Sequence, residues 1–229
     1  EGDGTLAFHR NNAYDFLGSI GGTGNVHQIG SGTTTFSGTS TYTGATHVRA
    51  GAVLVEGGLG DTRTIVHSGA MLGGTGRIGG EVIVNDGGIL SPGTSPGTLT
   101  VGGLQLAAGA LLEYELGQAG VIGSGINDLI EIDGDLTLDG TMRITDAGGF
   151  GAGVYRLMNY GGEITDNGLD LGSLPTGFTS DDLFVQTAIT GQVNLINSAG
   201  VSLNFWDGAA GPTDDGVIQG GDGVWVGND

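Results

Sequence analysis

The chain has 229 residues, with 51 glycines, four prolines, no cysteine and 38% hydrophobic residues, and its six Arg, no Lys and 25 acids leave a net charge of −19. That charge opposes binding to phosphate backbones and anionic membranes. The missing cysteines exclude disulfides, thiolate metal sites and a cysteine nucleophile, the apolar content argues against disorder, and glycine without a three-residue period excludes collagen.

From the start, residues 5–8 and 26–29 alternate loosely between glycine-rich breaks such as 21–24, which predicts short strands joined by turns. The chain opens on Glu-Gly-Asp-Gly rather than a basic and then apolar leader, and it has no apolar run of about 18 residues. The expectation is a piece of a longer precursor with no direct membrane insertion of its own.

Between Val48 and Leu112 one short phrase recurs four times, at nearly regular intervals: VRAGAVL at 48–54, VHSGAML at 66–72, VNDGGIL at 84–90 and LAAGALL at 106–112. Each copy is too short to bury its apolar side alone, but stacked copies cover one another. Stacking predicts three columns: Val48, Val66, Val84 and Leu106; Leu54, Leu72, Leu90 and Leu112; and Gly51, Gly69, Gly87 and Gly109. A glycine at a fixed point of each copy predicts a corner. The fold expected is an all-β solenoid.

The stretch from Thr35 to Val55, TFSGTSTYTGATHVRAGAVLV, closely resembles the passenger-associated repeat of bacterial autotransporters, the type V secretion family. Gly38, Thr41, Tyr42, Thr43, Gly44, Thr46, Val48, Gly51, Leu54 and Val55 match its pattern, while Ser40 replaces the usual Asn and Ala45 the usual Gly. GAMLGGTG at 69–76 and ILSPGTSPG at 89–97 are similar to sequence that follows this repeat in the family, and NFWDG at 204–208 with GGDGVW at 220–225 is a shorter similarity. The resemblance implies a right-handed parallel β-helix, a fragment of a longer passenger, exported through the C-terminal outer-membrane barrel of the same precursor. It further implies display at the surface of a Gram-negative bacterium or release from it, with a host-cell or cell–cell adhesion partner.

The organisation expected is a single β-helix domain over 1–229. Within it are regular coils to 116, an inserted loop at 117–127, resumed coils at 128–147, irregular coils at 148–198 and final coils at 199–229. No register is assigned to 148–198, although 155–158, 183–185 and 193–196 read as strands.

The chemistry-bearing residues are few. Glu113 and Glu115 precede Asp133 and Asp135 by the same step that separates Leu112 from Ile132, so a coil of that length would bring four carboxylates into a square. Such a square suits a calcium ion or, by carboxyl spacing alone, a glycoside-cleaving site; a register shift at the loop would instead leave the acids in solvent. Trp206 and Trp225 offer either a sugar platform or coil packing. His9, His27, His47 and His67 fall in no single column by sequence position, and no nucleophile–base signature is present. The sequence therefore assigns no catalytic residue, no metal ligand and no cofactor. It favours a structural stalk or adhesin segment over a glycan- or host-surface-binding module, and places a polysaccharide-cleaving enzyme last.

Overall fold

The computed structural model describes residues 4–201, which hold 22 strands, a single 3-10 turn at Ser180–Asp182 and no α-helix. Residues up to Ala199 form one compact unit. The phrase at Val48 shows why the chain coils. Val48 ends a strand, the next residues turn a corner, and a new strand begins at Ala52. Each coil repeats that path over three flat faces, and each face is a parallel sheet built from successive coils.

The first face stacks Thr5–Phe8, Asn25–Gln28, Thr46–Val48, Thr64–Val66 and residues 82–84, 104–106 and 136–138. The second stacks Tyr14–Phe16, Thr33–Phe36, Ala52–Val55, Met71–Gly74, Ile89–Pro92, Leu111–Leu116, Thr141–Asp146 and Asp170–Leu171. The third runs through Thr39–Ser40, Gly58–Leu59, 77–78, 98–101, Leu129–Ile132 and 158–160. Strands alternate buried and open residues, as a pleated chain with one face inward must. The result is a parallel β-helix whose interior is a continuous apolar cluster from Phe8 to Leu195.

Val48, Val66, Val84 and Leu106 are register partners in turn, each 2% exposed or less. Leu72, Leu90 and Leu112 likewise face one another at 0% exposure, and each such burial contributes roughly 1.5–3 kcal/mol. Leu54 does not join them. Val53 pairs with Leu72, while Leu54 pairs with Gly73 and is only half-buried. The cause is the corner. After Val66, Val84 and Leu106 four residues turn it, closed by hydrogen bonds from Ala70, Gly88 and Ala110 N–H to the carbonyls of His67, Asn85 and Ala107. After Val48 only three residues turn before Ala52, so the strand that follows is displaced by one position.

The glycine column sits at these corners. Gly51, Gly69 and Gly87 have φ of 61°, 76° and 73°, which L side chains resist. Gly69 donates to the carbonyl of Gly87, and Gly87 to that of Gly109, so the corners are bonded from coil to coil. A second column marks the corner between the second and third faces. A Cβ on Gly38, Gly57 or Gly76 would lie 2.1–2.3 Å from the carbonyl oxygen of Gly18, Gly38 or Gly57 respectively.

The parallel pattern ends within 148–198. Gly153–Tyr160 pairs with Gln192–Asn197 in antiparallel fashion, and Gln192–Asn197 pairs antiparallel with Leu183–Gln186. These are the strands that the sequence showed without a register: one more parallel coil runs through 158–160, 164–166 and 170–171, and the antiparallel strands then close the third face. Polar side chains join these strands to the coils. Arg156 donates to Asn194, Asn159 and Gln192, and Asn159 Nδ2 donates to Glu131 at 2.8 Å.

Candidate interaction surfaces

Two of the residues that match the passenger repeat, Tyr42 and Thr46, line an interior corner. Both are completely buried. The phenol of Tyr42 meets the Thr46 hydroxyl at 2.5 Å, Thr46 meets Thr62 at 3.1 Å, and Thr62 donates to the Gly44 carbonyl. This chain of hydroxyls satisfies polar atoms that water cannot reach, as burial demands. Desolvation accordingly pushes the Tyr42 pKa upward. Ser40, where the repeat usually has Asn, uses its Oγ to accept the Ile20 N–H of the preceding coil at 3.1 Å. Ala45, where Gly is usual, donates its N–H to Asn25 Oδ1 at 2.8 Å.

The square of acids is not formed, and the other reading of their spacing, a register shift at the loop, describes the structure. On the second face Glu113 pairs with Arg143 and Glu115 with Thr145, a longer step than the repeat's. Asp133 and Asp135 instead follow Leu129–Ile132, which belongs to the third face. The insertion at 117–127 lengthens this coil, so Ile132 does not follow Leu112 by one coil step. The four acids are separately engaged or spread out. Arg143 Nη1 lies 3.5 Å from Glu113, Arg77 is ion-paired with Asp133, and Asp135 accepts the Glu163 N–H at 2.9 Å. With the square goes the carboxylate spacing on which both a calcium site and a glycoside-cleaving site were founded. Among the described residues no group of three His, Asp or Glu is placed to hold a metal ion.

One carboxylate was missed by spacing because its partners are backbone atoms. Asp128 is 1% exposed at the end of the inserted loop, where it accepts the N–H of Gly97 at 2.8 Å and of Glu115 at 2.7 Å. Asn127 beside it accepts the Gly117 N–H and donates to the carbonyls of Gln118 and Val121. The two side chains pin the loop to the coils. Burial raises the Asp128 pKa from 3.8 to about 7, against the two backbone donors that pull it down. The neighbouring Tyr114 phenol, buried and donating to the Leu157 carbonyl at 3.1 Å, is held well above its usual pKa by burial and by the Asp128 charge.

The histidines fall in no single column, as their sequence positions indicate, yet three of them meet. His27 and His47 are register partners on the first face. His67, at the following corner, reaches back so that its Nε2 lies 3.1 Å from His47 Nδ1. Three of the four therefore form one group, and His9 stands apart from it. Trp206 and Trp225, and the coils expected over 199–229, lie outside the described residues apart from the first positions of that range.

Charge divides along the chain. Residues 4–77 carry four Arg against Asp15, Glu56 and Asp61, whereas residues 78–201 carry two Arg against fifteen acids. The acidic half is the one a counter-charged partner or dissolved cations would meet first. A groove in that half has a volume of about 660 Å³ and is lined by Asp166, Asp170, Leu183, Phe184 and Thr187 among others.

Comparison with known proteins fits this geometry. Residues 26–55 match the passenger-associated-transport-repeat family, so the match covers more than one turn of the solenoid, from the first face of one coil to the second face of the next. The chain is also similar to the adhesin BmaC autotransporter of Brucella suis biovar 1 (strain 1330), at 49% identity over 148 residues. That alignment takes in 63% of this chain but only 4% of the relative, so the chain spans a small part of the protein it matches.

Proposed function

We propose that this chain, a segment of an autotransporter passenger, works as a stalk that carries and spaces the adhesive part of its parent protein at the surface of a Gram-negative bacterium. The observation that carries this reading is the uninterrupted apolar column through successive coils. A solenoid of this kind is a spacer, because each coil contacts only its neighbours and length is gained without a new fold. The C-terminal outer-membrane barrel of the same precursor is its partner in export. Adhesion to a host cell or to another bacterium is the work of the whole protein, in keeping with a relative that is itself named an adhesin. The segment serves that work without catalysis: the hydroxyls of the repeat are consumed in buried hydrogen bonds, and function has to be argued from a site rather than from the fold.

In-frame deletion of these coils from the parent, with display and adhesion measured separately, tests the reading. A stalk predicts less protein at the surface, or slower folding there, with adhesion per displayed molecule retained. Normal display with adhesion abolished would make the segment the binding module instead.

A further inference from the structure

We propose that His27, His47 and His67 form a proton-operated latch on the coils of residues 25–74: neutral, the rings hold neighbouring coils together, and protonated, they drive them apart. The three rings span three successive coils. His27 and His47 meet edge to face with centroids 4.8 Å apart, and His47 and His67 stack at 5.4 Å with their planes 24° apart. The contact between His47 Nδ1 and His67 Nε2 at 3.1 Å needs one nitrogen to donate and the other to accept. A proton on both rings turns it into two facing donors with like charge.

The surroundings supply no compensating anion. Ala7 pairs with His27 from the preceding coil, and His9 follows that strand. Arg49 follows His47 by two positions and stands beside His67 in the register, Ile65 pairs with His47, and Ile83 continues the row. Arg63 is bound to Glu81 at 3.3 Å at the other end of these strands, and Asp86, at the next corner, accepts the Gly109 N–H. Among the described residues no carboxylate makes an ion pair with the three rings. Burial first, and the Arg49 charge second, lower all three pKa values below 6.5.

The sign follows from linkage. A folded-state pKa below the unfolded value means that the folded chain binds fewer protons, so this contribution to stability is present above about pH 6.5 and is lost as pH falls from there. A solenoid responds locally, since coils open without unfolding their distant neighbours. Among the described residues no third metal-ligating side chain converges on His47 and His67, and the ring-to-ring hydrogen bond responds directly to a proton.

Backbone hydrogen exchange of the whole chain at about pH 7.4 and about pH 5.5, corrected for intrinsic rates, tests the latch. Strands 25–28, 46–48 and 64–66 should lose protection by about tenfold at the lower pH while 104–106 and 111–116 keep theirs. The double variant His47→Gln/His67→Gln should abolish most of that difference. Equal protection of 25–66 at both pH values, or an acid-induced loss unchanged in the double variant, would overturn the proposal. Should the variant fold poorly, the imidazole titrations of the unaltered chain decide. Midpoints below about 6.5 for His27, His47 and His67 support the latch, and midpoints at or above that value overturn it.

Discussion

Coils up to residue 84 and those after residue 104 use the same three faces, yet they are built differently. In the first group the chain returns to the same face after a short circuit, as from Val26 to Thr46 or from Thr64 to Val82. In the second the circuit from Leu112 to Met142 is at least half as long again, and antiparallel strands complete the third face. Cations gather in the first group and carboxylates in the second. The difference shows that coil length is free while the pairing of faces is fixed, because extra residues leave the stack as loops at corners and the strands beneath stay in register.

The largest expected effect comes from breaking the shared interior. Leu72→Asp places a charge in a column at 0% exposure and should cost more than about 4 kcal/mol, unfolding the coils around it. Leu54→Asp, one position out of that column, should cost no more than about 1–2 kcal/mol. Chemical denaturation of the two variants measures the contrast, and equal losses would restore Leu54 to the interior. Next in size is Gly57→Ala, whose new methyl group would meet the Gly38 carbonyl at 2.3 Å. It should lower stability by about 2–4 kcal/mol, whereas an alanine at the open Gly69, strained by its φ alone, should cost about 1–2 kcal/mol.

Tyr42→Phe removes one hydroxyl from the chain of Tyr42, Thr46 and Thr62. A loss of about 1–2 kcal/mol in thermal or urea unfolding is expected, confined by hydrogen exchange to the early coils. Asp128 sharpens the comparison by the direction of its effect. Its folded pKa of about 7 stands above the ordinary 3.8, so its contribution is fully present below the ordinary value and is lost as pH rises through about 7. Between about pH 5 and pH 8 the coils around the inserted loop should therefore lose protection on going up, whereas the histidine-bearing coils lose it on going down. Asp128→Asn should flatten the loop's response, and a response that persists in that variant would assign it to another group.

How far the sequence reveals this structure depends on whether a residue's partner lies at a constant step. Val48, Val66, Val84 and Leu106 are legible because apolar spacing and strand pairing repeat together. Leu54 is not, because one residue fewer in a corner is invisible in a phrase of unchanged length. The passenger likeness is legible from the Thr-Tyr-Thr-Gly at 41–44, whose tyrosine proves to be an interior hydrogen-bonding residue. The carboxylates illustrate the opposite limit. The repeat's step, extrapolated across the loop, brings together Glu113 and Asp133, which belong to different faces. Asp128, with backbone partners, has no sequence signature beyond its place beside Asn127. The His47–His67 contact is a diagonal across coils, and a search for straight columns passes over it.

The central claim is that the parallel stack continues in register beneath the inserted loop. Because the chain has no cysteine, a pair introduced on the outer side reports a single contact, and neighbouring strands at about 4.8 Å allow a disulfide. Glu113→Cys/Arg143→Cys should oxidise readily and leave the fold intact, whereas Glu113→Cys/Asp133→Cys should remain reduced under the same conditions. Cross-linking of the 113/133 pair, with none at 113/143, would contradict the account.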